Sequence, residues 1–261
     1  MKIMICGKGG SGKSTITVLL ARAFSQSGKK VLVVDADESN QCLHRLLGVT
    51  LPENIMDHMG GRKGVREKLF SKEPVKEKEA VPLKAHMGID DIPDALIADA
   101  DGVKLLLIGK ITEFGEGCAC MIGNISKHLL GKLDEGPDAV VIIDAEAGLE
   151  HFGRRVNTGC DLMFCVIDPT YESLEMSKKA RFMAEKAGVD LFFILNKMDD
   201  TIHGFMTGNV DPEKLVATIP QSHSLFMESL KGCALTTVLP QIGQVRKFID
   251  SYKVPARLNI F

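Results

Sequence analysis

Gly7-Lys8-Gly9-Gly10-Ser11-Gly12-Lys13-Ser14 (GKGGSGKS) lies between an apolar run, Lys2–Cys6, and a helical pattern, Lys13–Ser27. It satisfies G-x-x-x-x-G-K-[ST] in the strand–loop–helix setting which that pattern requires. Glycines let backbone N–H groups turn inward around phosphate oxygens, and the following helix adds the positive end of its dipole. Gly9, Gly10, Ser11 and Gly12 are therefore expected to cradle phosphates. Lys13 would lie against the β- and γ-phosphates, Ser14 would ligate Mg²⁺, and Thr15 would support the α-phosphate.

The rest of the chain extends this start. Apolar, β-branched runs recur at Lys30–Asp35, Val103–Ile108, Ala139–Asp144, Leu162–Asp168, Asp190–Asn196 and Leu215–Ile219. Unbroken runs such as VLVVD and AVVIID suit strands buried on both faces, as in a parallel sheet covered by helices. A helical pattern over Ser173–Ala187 stops at Gly188, as the first stops at Gly28. The expected fold is a doubly wound α/β domain with a mostly parallel sheet and helices on both faces, one domain over residues 1–261. Residues Leu51–Ala100 break the alternation with mixed charge and four prolines, and are expected to form an excursion of short helices or a flap.

Composition narrows the partners. The 261 residues are 45% hydrophobic and 25% charged, with a net charge of −2, no Trp and two Tyr. Neither a polyanion surface nor an aromatic platform for single strands is expected, so no nucleic-acid partner is predicted. No run is long enough to cross a membrane, and the terminal KVPARLNIF is too short and proline-broken for an amphipathic anchor. Seven cysteines, an odd number in a long chain, argue for a reducing cytoplasm. Cys6, Cys42, Cys160, Cys165 and Cys233 stand among apolar neighbours and are expected to be small buried hydrophobes.

A second lysine, Lys8, follows the first glycine. The form K-G-G-x-G-K-[ST] resembles the deviant P-loop ATPases, among them MinD, ParA and the nitrogenase iron protein. The resemblance implies a homodimer in which Lys8 reaches the partner's nucleotide, adding charge where the transferring phosphoryl group needs it. Asp35-Ala36-Asp37 ends a strand and resembles the family's D-x-D switch. By that match Asp37 acts on the attacking water and Asp35 helps the Mg²⁺ shell. Asp144 matches the carboxylate that holds Mg²⁺ through water, and Ala147-Gly148 the second switch. Asn196 and the loop at Pro220 resemble the adenine-reading positions. Asn196-Lys197-Met198-Asp199 also fits N-K-x-D, whose Asp reads guanine in GTPases, including nickel-delivery relatives. Lys8 favours ATP.

Gly115-Glu116-Gly117-Cys118-Ala119-Cys120 holds two cysteines one residue apart. Flanking glycines allow both thiolates to bend toward one metal, and a twofold axis would supply four, as tetrahedral Zn²⁺ or thiolate-bound Ni²⁺ requires. The nitrogenase iron protein places its second cysteine where this chain has His151, which argues against that cluster arrangement. The set K-G-G-x-G-K, D-x-D, G-x-x-C-x-C and A-G-L-E-H-x-x-R (through Glu150, His151 and Arg154) resembles CooC-type ATPases. That family serves maturation of carbon monoxide dehydrogenase and acetyl-CoA synthase. The resemblance implies ATP and ADP as nucleotides, Cys118 and Cys120 as Ni²⁺ or Zn²⁺ ligands between subunits, and an apo-enzyme of either kind as client. A MinD- or ParA-like organising ATPase, a GTP-dependent nickel chaperone and an iron–sulfur reductase are the alternatives.

Overall fold

The computed structural model describes residues 1–70, 87–110, 120–134, 136–145 and 159–255. Eight strands form one sheet in the order β3-β4-β2-β5-β1-β6-β7-β8. They are β1 (Lys2–Gly7), β2 (Lys30–Ala36), β3 (Ile97–Ala100), β4 (Val103–Leu107), β5 (Ala139–Ala145), β6 (Leu162–Ile167), β7 (Asp190–Met198) and β8 (Leu215–Pro220). All pairs are parallel except β3 with β4.

Side-chain alternation along these strands builds two cores. Ile3 and Ile5 of β1, Val31 and Val33 of β2 and Ile142 of β5 point to one face. Met4, Cys6, Leu32, Val34, Val141 and Ile143 point to the other. Because successive residues of a strand face opposite ways, unbroken apolar runs mean that both faces are buried. Helix α1 (Lys13–Gln26) covers the first face through Ile16, Leu20 and Phe24. Helix α5 (Cys120–Lys132) covers the second through Ile122, Ile125 and Leu129. Among the described residues the other α-helices are α2 (Leu43–Leu47), α3 (Ile55–His58), α4 (Gly61–Phe70), α6 (Tyr171–Ala187), α7 (His203–Gly208), α8 (His223–Leu230) and α9 (Pro240–Ser251). Among the described residues no helix is long and apolar enough to cross a membrane.

Several expectations need correction. The described part of Leu51–Ala100 carries the short helices α3 and α4, but it also contributes β3, which had not been expected. Asp101-Gly102, with φ of 52° and 83°, turns β3 back on β4 so that Ala100 faces Val103. Asp-Gly is the signature of such a two-residue hairpin. Strand β7 runs two residues past Asn196, to Met198. Cys6, Cys160 and Cys165 are buried as expected, but Cys42 and Cys233 are exposed. Cys42 sits at the N-terminal cap of α2, and Cys233 follows the last turn of α8, so neither has a core face to occupy.

Candidate functional site: the carboxyl ends of the central strands

The site begins with register. Along β2 and β5, Asp35 pairs with Asp144 and Ala36 with Ala145, while Ile5 of β1 also faces Asp144. Two carboxylates thus arrive side by side at the carboxyl ends of parallel strands, beside the loop that leaves β1. Open α/β sheets bind ligands at that end.

The loop after β1 depends on glycine at two points. Gly7 has φ of 140°, and a Cβ there would stand 2.4 Å from the Val166 carbonyl oxygen. Gly12, the N-cap of α1, has φ of 100°, and its Cβ would stand 2.2 Å from Asn196 Nδ2. Only glycine tolerates both the left-handed backbone and that approach. Lys13 is buried, and the Oγ of fully buried Ser11 has no hydrogen-bond partner among the described residues. An orphaned hydroxyl within a loop of turned N–H groups suits a ligand rich in oxygen.

Ser14 Oγ donates to Asp144 Oδ2 at 2.6 Å, and Asn40 Nδ2 reaches Ser14 Oγ at 2.8 Å and Asp144 Oδ2 at 3.2 Å. Thr17 Oγ1 makes a longer contact, 3.5 Å, to Asp144 Oδ1. A hydroxyl and carboxylates form the hard oxygen set that Mg²⁺ prefers, so the donor chemistry fits that ion. Burial pushes the Asp144 carboxyl up to about 6, against the opposing pull of Ser14 and Lys13. Burial likewise raises Asp35 to about 7, with Lys110 pulling down and Asp144 and Asp37 pushing up. A cation arriving here would meet carboxyls that gain from it.

Asp37 is buried, and its Oδ1 accepts from Ser39 N at 3.0 Å, Ser39 Oγ at 2.6 Å and Asn40 N at 3.2 Å. These bonds shape the turn that brings Asn40 to Ser14. Lys8 lies beside Glu172 of the same chain at 3.5 Å, at the start of α6. Thr15, half-buried, follows Ser14 in the first turn of α1.

Asn196 and Lys197 reach the glycine loop from the opposite side. The β7–β8 register slips between Leu195 and Met198, and Lys197 adopts φ of 61°. Such irregularities re-aim side chains at strand ends. Asn196 Nδ2 donates to the Ser11 carbonyl at 2.8 Å and Lys197 Nζ to the Gly10 carbonyl at 2.6 Å. Pro220 closes β8 opposite Met198. Asp199 Oδ1 accepts from the Thr201 and Ile202 N–H groups and the Thr201 hydroxyl, so this oxygen caps a turn.

Sequence reasoning missed Lys110, Asn40 and Thr17. Lys110 follows β4, and nothing in its local sequence marks it, since its burial comes from β2 lying beside β4. Asn40 and Thr17 carry no local signal, since their importance arises only when β5 brings Asp144 to them. Cys118, Ala147, Gly148, Glu150, His151 and Arg154 lie outside the described residues, and only the backbone of Cys120, at the start of α5, is described.

Comparison with known proteins agrees with the geometry. The CobQ/CobB/MinD/ParA nucleotide binding domain matches residues 2–235. An uncharacterized ATP-binding protein of Methanocaldococcus jannaschii is 46% identical, over 94% of this chain and 98% of its own length. The carbon monoxide dehydrogenase accessory protein CooC of Rhodospirillum rubrum is 33% identical, over 92% of this chain and 91% of its own. The septum site-determining protein MinD of Pyrococcus horikoshii, solved with Mg-ADP, superposes with a TM-score of 0.66 at 20% identity, covering 96% of each chain. That last likeness concerns the fold. With a phosphate-type loop, paired strand-end carboxylates and a matching domain across most of its length, the chain belongs to the CobQ/CobB/MinD/ParA nucleotide-binding family and is a P-loop ATPase.

Proposed function

We propose that this protein is a Mg²⁺-dependent ATPase that works as a homodimer in the maturation of a nickel enzyme, with Cys118 and Cys120 of each chain holding the metal. The observation that carries the reading is the relationship to CooC over nine-tenths of both chains, together with the paired cysteines in the sequence. By that reading the client is apo carbon monoxide dehydrogenase or acetyl-CoA synthase, the cargo is Ni²⁺ or Zn²⁺, and the protein acts in the cytoplasm.

The chain's own residues divide the work of hydrolysis. N–H groups from Gly9 to Ser14 and the Lys13 ammonium hold the phosphates, and Thr15 supports them from the first helical turn. Ser14, Asp144 and Asp35 would hold Mg²⁺, which would supply positive charge against the phosphates. Asp37 orients the attacking water and accepts its proton. Lys8 leaves Glu172 and adds its charge to the partner's phosphates. Asn196 and the Pro220 loop read adenine.

Titration of Ni²⁺ into reduced protein tests the metal claim. The expected result is sulfur-to-nickel charge-transfer absorbance that saturates at about half a metal per chain, the ratio for one site shared across a twofold axis. An unchanged stoichiometry and spectrum in Cys118→Ser would show that these thiols are not the ligands. Native mass spectrometry of the loaded protein with ATP, ADP and GTP reads dimerisation, metal count and base preference together. GTP-selective dimerisation would turn the reading toward the NKMD alternative.

A further inference from the structure

We propose that Lys110 is a positioning residue for hydrolysis, a third lysine that fixes Asp37 from outside the phosphate loop. Its ammonium donates to Asp35 Oδ2 at 2.7 Å and to the Asp37 carbonyl at 2.6 Å. The remaining Asp35 oxygen, Oδ1, accepts the Asp37 N–H at 3.2 Å. Lys110 thus closes a ring: ammonium to the first carboxylate, that carboxylate to the N–H of Asp37, and the carbonyl of Asp37 back to the ammonium. Both backbone polar groups of Asp37 are held, so its carboxylate can swing only about its own side-chain bonds.

The support for this clamp is as firm as the clamp. Lys110 and Asp35 are almost fully buried, their side chains 8% and 3% exposed. In water a lysine–carboxylate pair contributes little, but away from solvent the same pair fixes geometry, because each partner is costly to leave alone. The backbone leading to Lys110 is pinned to the strand it serves. Ile108 N–H donates to the Asp35 carbonyl at 3.1 Å, and Met56 N–H donates to the Ile108 carbonyl at 2.9 Å. At Gly109 a Cβ would stand 3.1 Å from Met56, so glycine lets the chain run close against that side chain. An ammonium suits the position, since it offers three donors to acceptors lying in different directions. A neutral apolar residue would leave a buried carboxylate and a buried carbonyl without their donor.

This assignment rests on the reading of Asp37 as the residue that acts on water, and the test separates the two. Steady-state hydrolysis and fluorescent-nucleotide binding are measured for wild type, Lys110→Met, Asp37→Asn and the double variant. Asparagine at 37 can still accept from Ser39 and Asn40, so the turn survives. Loss of positioning by about an ångström costs about 100-fold in rate. The expected result is a fall in kcat of about tenfold to 100-fold for Lys110→Met, with nucleotide Kd within about threefold of wild type. In the Asp37→Asn background, Lys110→Met should have no further effect on kcat. Lys110→Arg, which keeps the charge and donors, should recover part of the rate. Where Lys110→Met fails to fold, Lys110→Gln, which keeps a donor, replaces it in the same cycle. The proposal falls if kcat is unchanged on loss of Lys110, or if the loss is as large without Asp37 as with it. If Asp37→Asn alone hydrolyses at the wild-type rate, the reading of Asp37 falls and this proposal with it.

Discussion

Replacing Gly12 with alanine separates two physical effects that the structure superimposes at one atom. The backbone there is left-handed, at φ of 100°, and an L-residue in that region costs about 1–2 kcal/mol. The stiffer unfolded chain returns about 0.4–1 kcal/mol. The new Cβ would also stand 2.2 Å from Asn196 Nδ2, so Asn196 must leave the Ser11 carbonyl that it now reaches at 2.8 Å. Losing that bond costs about 0.5–1.5 kcal/mol, and more if the buried carbonyl finds no water. Gly12→Ala should therefore destabilise the nucleotide-free protein by about 2 kcal/mol. In an Asn196→Ala background the clash has no partner and the bond is already gone, so the same substitution should cost only about 1 kcal/mol. The four proteins are compared by urea unfolding followed by circular dichroism. The expected non-additivity, about 1 kcal/mol, exceeds the scatter of about 0.3–0.5 kcal/mol seen for independent sites. Equal costs in both backgrounds would refute the claim that Gly12 is glycine partly to admit Asn196.

Three further outcomes follow from other contacts. Thr170 caps α6 by accepting from Ser173 N at 3.3 Å while donating to Asp168 at 2.9 Å, so Thr170→Ala should lose about 1 kcal/mol in the same unfolding assay. Tyr252 donates to Asp190 at 2.7 Å and, with Lys214, holds that carboxyl below its usual range. A depressed carboxylate stabilises the fold above its unfolded value, and that gain disappears as pH falls through the folded value. Tyr252→Phe should therefore lower the urea midpoint at pH of about 7, with the gap to wild type narrowing by pH of about 3. Glu172→Gln frees Lys8 from an exposed pair of little energetic weight, so stability should stay within about 1 kcal/mol of wild type. Sedimentation should then show a larger ATP-dependent dimer fraction, and an equal or smaller fraction would count against Lys8 moving between partners.

Much of this site is legible in the sequence because its parts are local. A loop that must wrap phosphate needs glycines at fixed spacings, and a carboxylate at the end of an apolar strand marks either a ligand station or, like Asp168, the start of a helix. Asp35 and Asp144 are read separately from their own strands, and only the register of β2 on β5 shows that they are neighbours. What escaped the sequence depends on distant partners. Lys110 matters because β4 lies beside β2, and Asn40 because a turn capped by Asp37 carries it to Ser14. The slip at Asn196 and Lys197 is likewise a property of two strands, so the residues were visible while their aim was not. Strand β3 is different. Its Asp-Gly turn was not read as a hairpin, because four residues reading Ile-Ala-Asp-Ala carry too weak an alternation to stand out in a charged stretch.

That short strand also forms the outer edge of the sheet, beside β4. Without it, β4 would present Val103-Lys104-Leu105-Leu106-Leu107 at the boundary of the sheet, with unpaired backbone groups inviting a strand from another molecule. Strand β3 caps that boundary and is itself only four residues long, with an aspartate at its third position. Nearby, Asp90 binds both Lys30 and Lys104, placing charge next to the same flank. A chain shortened by residues Ile97–Gly102 would leave β4 as an open template for strands of other molecules.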